Sequence, residues 1–175
     1  MVKYDTAYYY NLLRIHASTA KLICGIRWDL LNKNIPGIKT VLDYGCGVGF
    51  FKAFGPAGID VDTYDIMPVV QTGITKPRYD VLTMWDVLEH IPDFTDLELV
   101  LKSVDYVAIT LPVKPDGKEW NAWKHFKPGE HLHYYTTDLL CALFRIYGFE
   151  LKIETDVECP PREDIRSYIF KRGTL

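Results

Sequence analysis

The stretch VLDYGCGVG, which runs from Val41 to Gly49, decides the fold. It begins with strand-like, mostly apolar residues and continues with glycine at every second position. Glycine adopts positive φ at little cost and has no Cβ, so a ligand can approach the backbone of such a turn closely. Ligands of open parallel sheets bind beyond the carboxyl ends of the strands, which is where this turn would lie. The stretch therefore predicts a ligand-binding turn between a buried strand at 40–44 and a short helix at 49–54.

Strand-like and helix-like runs alternate along the rest of the chain. Further strands are predicted at 60–65, 79–84 and 106–111, followed by an antiparallel pair at 149–157 and 165–171. Helices are predicted at 97–102 and 137–147, and the apolar spacing predicts one or two more within residues 5–34. This order predicts an α/β fold with a mostly parallel central sheet, a C-terminal antiparallel hairpin and helices on both faces.

The bulk composition limits the classes of partner. With 175 residues, the chain is expected to form one domain, with a helical segment at 1–37 and a core at 38–172. Twenty basic and 23 acidic residues give a net charge of −3, so the composition does not predict a nucleic-acid partner. No apolar run is long enough to span a bilayer, and no membrane association is predicted.

The four cysteines are far apart in the sequence, which argues against a disulfide framework or a zinc knuckle. They are Cys24, Cys46, Cys141 and Cys159. We expect them to be reduced thiols in a cytoplasmic protein.

One connection, from residue 112 to residue 135, is longer than a compact fold needs. It is rich in aromatic residues and lysines, and acidic residues nearly neutralise the lysines. Basic and aromatic side chains together can bind a nucleic acid, whereas a neutralised aromatic segment is more typical of a packed lid. We predict that this segment is a lid-like insertion that forms a wall of the substrate site.

Four stretches occur in the order and rough spacing typical of class I S-adenosylmethionine-dependent methyltransferases. They are VLDYGCGVG at 41–49, DVDTYDIMP at 60–68, RYDVLTMWDVLEHIPD at 78–93 and GEHLHYYTTDLLCALFRIYGFEL at 129–151. Phe50 stands where the dinucleotide fingerprint requires a small residue, which argues against a nicotinamide cofactor. Over residues 38–172 the chain resembles this methyltransferase family, and most closely its ubiquinone-biosynthesis O-methyltransferase-like branch. The resemblance implies a Rossmann-like fold, S-adenosylmethionine as the cofactor, and transfer of a methyl group to a small molecule, at oxygen.

The resemblance also implies which residues hold the cofactor. Asp43 and the backbone of the glycine turn would hold its methionine end, and Asp65 would bind its ribose hydroxyls. Asp65 follows Gly45 by 20 residues, the separation expected of a ribose-binding acid, although Asp60 and Asp62 are nearer alternatives. The full set implied for the cofactor is Asp43, Tyr44, Gly45, Cys46, Gly47, Gly49, Asp65, Ile66, Met67, Trp85 and Asp86.

The candidate catalytic residues lie in the stretch DVLEHIPD and in the predicted lid. Asp86, Glu89 and His90 have the i, i+3 and i+4 spacing that places side chains on one face of a helical turn. A base is useful there, because an oxygen acceptor must lose its proton during methyl transfer. His131 and His133 would point to one side of an extended segment. The residues predicted to be catalytic are His90, Glu89, His131 and His133.

The same residues raise two alternatives. Some ubiquinone-type O-methyltransferases, and enzymes that methylate the 3′ end of small RNAs, hold a metal with an ExxEH run, which this sequence resembles with Asp86 in place of the first glutamate. The metal-ligand candidates are Asp86, Glu89, His90 and His131, and the chain would then be a metal-assisted RNA or nucleotide methyltransferase. A metal-free site is the preferred prediction, because Glu89 and His90 can equally stabilise a turn or contact substrate. A non-catalytic subunit that binds the cofactor is the other alternative, and the sequence predicts no oligomeric state.

Overall fold

A computed structural model describes residues 6–66 and 73–173 of the chain. Met67, one of the predicted cofactor residues, lies outside the described residues. The strands are β1 (Thr40–Tyr44), β2 (Asp60–Tyr64), β3 (Tyr79–Trp85), β4 (Val104–Pro112), β5 (Phe149–Thr155) and β6 (Ile165–Arg172). The α-helices are α1 (Thr6–Asn34), α2 (Phe50–Ala53), α3 (Thr95–Leu101) and α4 (Thr137–Ile146). Short 3₁₀ turns lie at Leu88–His90 and Trp120–Ala122.

The six strands pair in one sheet with the order β2-β1-β3-β4-β6-β5. The strands β2, β1, β3 and β4 are parallel, while β6 lies antiparallel between β4 and β5. This arrangement confirms the predicted α/β fold with a mostly parallel sheet and a C-terminal antiparallel pair. Since β5 runs in the same direction as β4, the connection between β5 and β6 lies at the edge of the sheet where β1, β3 and β4 end.

Helices cover both faces of the sheet, which is why the central strands are apolar on both sides. On one face, α3 and α4 pack through the buried side chains of Leu97 and Phe144. On the other face, α1 packs through Trp28 and Leu31, and Trp28 stacks on Phe51 of α2 with ring centroids 4.2 Å apart. The sequence predicts either one or two helices in this segment, and the structure has one continuous helix, α1. None of the described helices is long and apolar enough to cross a bilayer.

The segment that links β4 to α4, predicted to be a lid, is packed against two other parts of the protein. Asp164, just before β6, accepts a hydrogen bond from Trp123 Nε1 at 3.0 Å. Nearer to α4, the backbone carbonyl of Glu89 accepts from the amides of residues 132 and 133, at 2.8 and 3.2 Å. The segment therefore bridges the β5–β6 connection and the 3₁₀ turn that follows β3.

Candidate active site

The glycine turn after β1 has the backbone conformation that its sequence requires. Gly45, Gly47 and Gly49 have φ values of +75°, +54° and +80°, which L-residues with side chains rarely adopt. At Gly45 a Cβ would lie 2.4 Å from Cγ2 of Val87, so a side chain there would overlap with a neighbour as well. The amides of residues 45 and 46 both donate to the carbonyl of Tyr64 at the end of β2, at 2.7 and 3.1 Å. The turn is therefore fixed between the ends of β2 and β3.

Asp65 meets this turn directly, because its Oδ2 accepts a hydrogen bond from the Gly47 amide at 2.7 Å. The two nearer acids face elsewhere. Burial opposes ionisation of Asp62, but hydrogen bonds led by those of Thr75 outweigh it and hold the pKa of Asp62 well below its usual range. The Asp60 side chain is largely exposed. Among the three acids of β2 and its end, Asp65 is the one that contacts the glycine turn.

Three other predicted cofactor residues lie around the same turn. Tyr44 stacks on Tyr64 with ring centroids 4.7 Å apart, so its ring belongs to the core beside α3 and α4. Burial raises the pKa of the Cys46 thiol to about 12, which keeps it neutral and unreactive. Ile66 is exposed next to Asp65. Of these three residues, Ile66 is the most exposed and hence the most open to a ligand.

Asp43, in the middle of the site, is a buried acid that is only partly satisfied. Thr83 of the neighbouring strand donates a hydrogen bond to its Oδ1 at 2.9 Å, and its Oδ2 has no partner among the described residues. Burial raises the pKa of Asp43 to about 7. The buried Trp85 Nε1 also has no partner in this part of the chain, and Arg27 lies over the Trp85 ring at 4.9 Å. Unpartnered buried polar atoms are rare in proteins and point to a missing ligand or water.

Asp86 does not join Glu89 and His90 on one helical face, which corrects the prediction from their spacing. Asp86 has φ +59°, and the 3₁₀ turn starts two residues later. Its carboxylate pairs with Arg27 at 3.1 Å and with Arg162 at 2.6 Å. Although burial opposes ionisation, these two guanidinium groups hold the pKa of Asp86 below its usual range. Asp86 is accordingly absent from the group of possible metal ligands found among the described residues.

Glu89, His90 and His131 do come together, with one ligand-type atom of each within 4.8 Å of the others. The rings of His90 and His131 meet edge to face at a centroid distance of 4.8 Å. His90 Nδ1 lies 2.9 Å from the carbonyl of Glu130. Since a carbonyl only accepts hydrogen bonds, this nitrogen carries the hydrogen and Nε2 of the neutral ring keeps a lone pair. Glu89 Oε2 and His131 Nδ1 are buried and have no partner among the described residues.

The protonation states within this cluster follow from its burial. Burial, and then the charge of Asp86, raise the pKa of Glu89 to about 8. Burial, and then the neighbouring His90 and Lys127, lower the pKa of His131 to about 4. At neutral pH Glu89 is therefore mostly protonated and His131 is neutral. A carboxyl group that titrates near 8 is suited to exchanging a proton near neutral pH.

His133, the fourth predicted catalytic residue, lies outside this cluster. Its Nε2 is 3.0 Å from the carbonyl of Ile91, and its ring packs on Phe94 at a centroid distance of 5.7 Å. The structure thus separates His131 from His133, although the two residues lie in the same segment.

Three charged residues around Asp86 were not predicted from the sequence, namely Arg27, Glu158 and Arg162. A signal for one of them was present. Arg27 lies three residues after Cys24 and four before Leu31, both of which face the core, so Arg27 interrupts the apolar face of α1. No comparable pattern marks Glu158 or Arg162, which lie in an irregular connection.

Comparison with known proteins supplies the family. A family model described as a methyltransferase domain matches residues 17–152. No curated protein sequence matches the chain. Among solved structures, the magnesium protoporphyrin IX methyltransferase of Synechocystis PCC 6803, with S-adenosylhomocysteine bound, shares 18% identity over 90% of this chain and 84% of its own, with a TM-score of 0.60.

Two further structures show the same fold. The 16S rRNA methylase ArmA is 17% identical, with 94% of this chain and 91% of ArmA covered and a TM-score of 0.56. An S-adenosylmethionine-dependent methyltransferase from Clostridium acetobutylicum ATCC 824 is 11% identical, with 96% and 98% covered and a TM-score of 0.67. The family match extends over more than half of the chain, and the glycine turn at the end of β1 lies within it. The chain therefore belongs to the class I methyltransferases that use S-adenosylmethionine.

Proposed function

We propose that the protein transfers the methyl group of S-adenosylmethionine to an oxygen of a small molecule. The observation that carries the proposal is the cluster of Glu89, His90 and His131, whose first two members lie in the segment that follows β3. Val87 lies against Gly45, and Glu89 follows Val87 by two residues. Glu89 therefore belongs to the same short segment whose Val87 lies against the turn that would hold the methyl donor.

The cofactor would be held around the glycine turn. Asp43 Oδ2, which has no partner among the described residues, would accept a hydrogen bond from the ammonium of its methionine part. Asp65 would bind the ribose hydroxyls next to Ile66. The remaining residues of the proposed cofactor site are Tyr44, Gly45, Cys46, Gly47, Gly49, Met67, Trp85 and Asp86.

For methyl transfer, the protein must mainly align the methyl donor with the acceptor and provide a base for the acceptor proton. An acceptor oxygen attacks the methyl carbon in line with the carbon–sulfur bond, which breaks and releases S-adenosylhomocysteine. The hydroxyl proton of the acceptor would pass to the ionised form of Glu89, a fraction that grows as the pH rises toward the Glu89 pKa of about 8. His90 and His131 would orient the acceptor, and His133 would support the wall from outside the cluster.

A small acceptor is favoured over RNA by the charges of the lid segment. Three of its four lysines are paired with nearby acids: Lys118 with Asp164, Lys124 with Glu163, and Lys127 with Glu130. The fourth, Lys114, donates to the backbone carbonyls of Pro115 and Lys118. Paired lysines offer little free positive charge to phosphate groups. The structural neighbours include a porphyrin methyltransferase and an rRNA methylase, so the fold is compatible with either class of acceptor.

Because the four cysteines are free thiols, a cytoplasmic location is part of the proposal.

The proposal can be tested by calorimetry and by a screen of acceptors. We expect the wild type to bind S-adenosylmethionine and S-adenosylhomocysteine, and Asp43→Asn to bind both at least tenfold more weakly. We expect release of S-adenosylhomocysteine with phenols, catechols or hydroxy acids, and its loss in Glu89→Gln. A protein that binds the cofactor but turns over no acceptor of any class would instead support a non-catalytic subunit.

A second candidate is methyl transfer assisted by a divalent metal, favoured by the unpartnered atoms Glu89 Oε2 and His131 Nδ1. Two imidazoles and a carboxylate are a donor set that fits Zn²⁺ or a similar transition metal, and the carbonyl that holds His90 Nδ1 leaves Nε2 available. Such a metal, when bound, would orient an acceptor oxygen and lower its pKa. Titration with Zn²⁺, Mn²⁺ and Mg²⁺ should then give one site, which His131→Ala removes and His133→Ala, outside the cluster, preserves.

A further inference from the structure

Four charged side chains form a closed ring next to the proposed cofactor site. Arg27 of α1 and Arg162 of the β5–β6 connection each contact both Asp86 and Glu158. The N···O distances are 3.1 and 2.8 Å for Arg27, and 2.6 Å to either acid for Arg162. The ring, referred to below as the ion ring, joins three separate parts of the chain: the first helix, the end of β3 and the β5–β6 connection.

The ion ring is partly buried, with the Asp86 and Arg162 side chains 31% and 27% exposed, and its charges cancel. The side chains of Glu158 and Arg27 are 1% and 11% exposed. Thr110 of β4 donates a further hydrogen bond to Glu158 at 3.2 Å. Compared with apolar residues of the same volume, buried ion pairs add little net stability, because desolvation offsets their attraction. The ring is therefore better explained by the conformation that it fixes.

The conformation that it fixes is that of Asp86. Positive φ is uncommon for a residue other than glycine, although aspartate tolerates it better than most. Here the backbone is held by the Asp86 amide, which donates to the carbonyl of Thr110 at 2.8 Å, and the carboxylate is held by both arginines. The next residue, Val87, lies so close to Gly45 that no Cβ fits between them. The position of Asp86 thus sets the position of Val87, and Val87 forms one side of the glycine turn.

We propose that Arg27 and Arg162 are positioning residues for the cofactor. They hold Asp86 in its left-handed conformation and so keep Val87 against Gly45, which preserves the shape of the glycine turn before the cofactor arrives. This inference rests on the proposed function, because it assumes that the turn binds S-adenosylmethionine. It also gives α1, which lies outside the sheet, a direct part in forming the cofactor site.

Arg27→Gln and Arg162→Gln test the proposal, with Arg78→Gln as a matched control. Arg78 also forms an ion pair, with Asp105, but it precedes β3 at the opposite end of that strand and is 56% exposed. We expect each ring variant to bind S-adenosylmethionine about tenfold more weakly, because a small misplacement of a binding turn has effects of this size or larger. Arg27→Lys should restore part of the loss, since lysine keeps the charge but cannot contact both acids as a guanidinium does.

A second readout separates positioning from direct contact with the cofactor. The amides of residues 45, 46 and 47 donate to Tyr64 and Asp65, so their hydrogen exchange in the cofactor-free protein reports on the turn itself. We expect Arg27→Gln and Arg162→Gln to increase exchange at these three amides, and Arg78→Gln to leave it unchanged. A residue that only touched the cofactor would not alter exchange in its absence.

The outcomes distinguish this inference from the proposed function. If the wild type does not bind S-adenosylmethionine, the proposed function fails, while the exchange comparison still tests whether the ring shapes the turn. Wild-type exchange at residues 45–47 in both ring variants would overturn the positioning role. The positioning role would also be overturned if Arg78→Gln changed exchange and affinity as much as the ring variants do, because the effect would then be one of general stability. Arg162 is 27% exposed, so its variant provides the test if Arg27→Gln does not fold.

Discussion

Replacing Gly45 by alanine tests why the turn after β1 requires glycine. Two costs are expected. Holding alanine at φ +75° costs about 1 to 2 kcal/mol. The added Cβ would lie 2.4, 2.8 and 3.1 Å from Cγ2, Cγ1 and Cβ of Val87, and forcing a methyl group into such a space costs about 1 to 3 kcal/mol. We expect Gly45→Ala to lower the free energy of unfolding by about 2 to 5 kcal/mol, the sum of the two costs.

Two further variants separate these costs. Gly47→Ala has a positive φ of +54° but nothing within 4 Å of its Cβ, so it should show the backbone cost alone, about 1 to 2 kcal/mol. Val87→Ala in the Gly45→Ala background removes the two nearest atoms, so it should recover most of the contact cost and leave the backbone cost. The assay is urea unfolding of five proteins: the wild type, Gly45→Ala, Gly47→Ala, Val87→Ala and the double variant. The coupling is obtained from the double-mutant cycle of positions 45 and 87.

The cycle can refute this explanation. If Gly45→Ala and Gly47→Ala destabilise the protein equally, Val87 does not restrict position 45. If the double variant is no more stable than Gly45→Ala, the close contact with Val87 is not what excludes a side chain, and the link from Asp86 to the turn loses its support as well.

Three other changes have defined outcomes. Burial raises the pKa of Asp43 to about 7, so its carboxylate forms as the pH is raised toward 7. We therefore expect calorimetry to show that the affinity for S-adenosylmethionine increases about tenfold for each pH unit by which the pH is raised up to 7, and that Asp43→Asn shows no such increase. Since the pKa of Glu89 is raised to about 8, its contribution to stability is present at acid pH and lost as the pH rises through 8. In urea unfolding, the free energy of unfolding of Glu89→Gln should therefore increase relative to that of the wild type by about 1.4 kcal/mol for each pH unit between about 5 and 8. A difference in unfolding free energy that does not change with pH would contradict this. Asp164→Ala leaves the buried Trp123 Nε1 without an acceptor and should cost about 1 to 3 kcal/mol in thermal unfolding, whereas a cost under about 0.5 kcal/mol would show that the lid segment is held elsewhere.

The parts of the fold that could be predicted are those determined by residues that lie close together in the sequence. β1 and the glycine turn are contiguous in the sequence, and their apolar run and glycine spacing respond to forces that act within a few residues. The strands and helices after them follow the same rule, and their predicted bounds lie close to those observed. The meeting of Asp65 with the glycine turn could be predicted, because the length of one β-α-β unit sets its distance from Gly45.

The charges around Asp86 could not be predicted in the same way. Its partners Arg27 and Arg162 lie 59 residues before it and 76 residues after it, so no local pattern links them. The helical spacing of Asp86, Glu89 and His90 was misleading for a related reason. The two arginines hold the Asp86 carboxylate away from Glu89 and His90 of the 3₁₀ turn, and these ion pairs outweigh the local preference for a shared helical face. The meeting of His131 with Glu89 likewise depends on where the long segment packs.

The reversed direction of β6 makes the β5–β6 connection a separable module of the site. Both ends of this connection are anchored in the sheet, since Thr155 pairs with Ser167 and Pro112 pairs with Ile165. Its length and sequence can change without altering the register of β1 and β3, which carry the cofactor turn. A connection of another composition, transferred between relatives with the same strand order, would then alter how the lid is supported, and the cofactor turn would keep its shape if Glu158 and Arg162 of the ion ring were retained. Such exchanges offer a route to change acceptor preference one loop at a time.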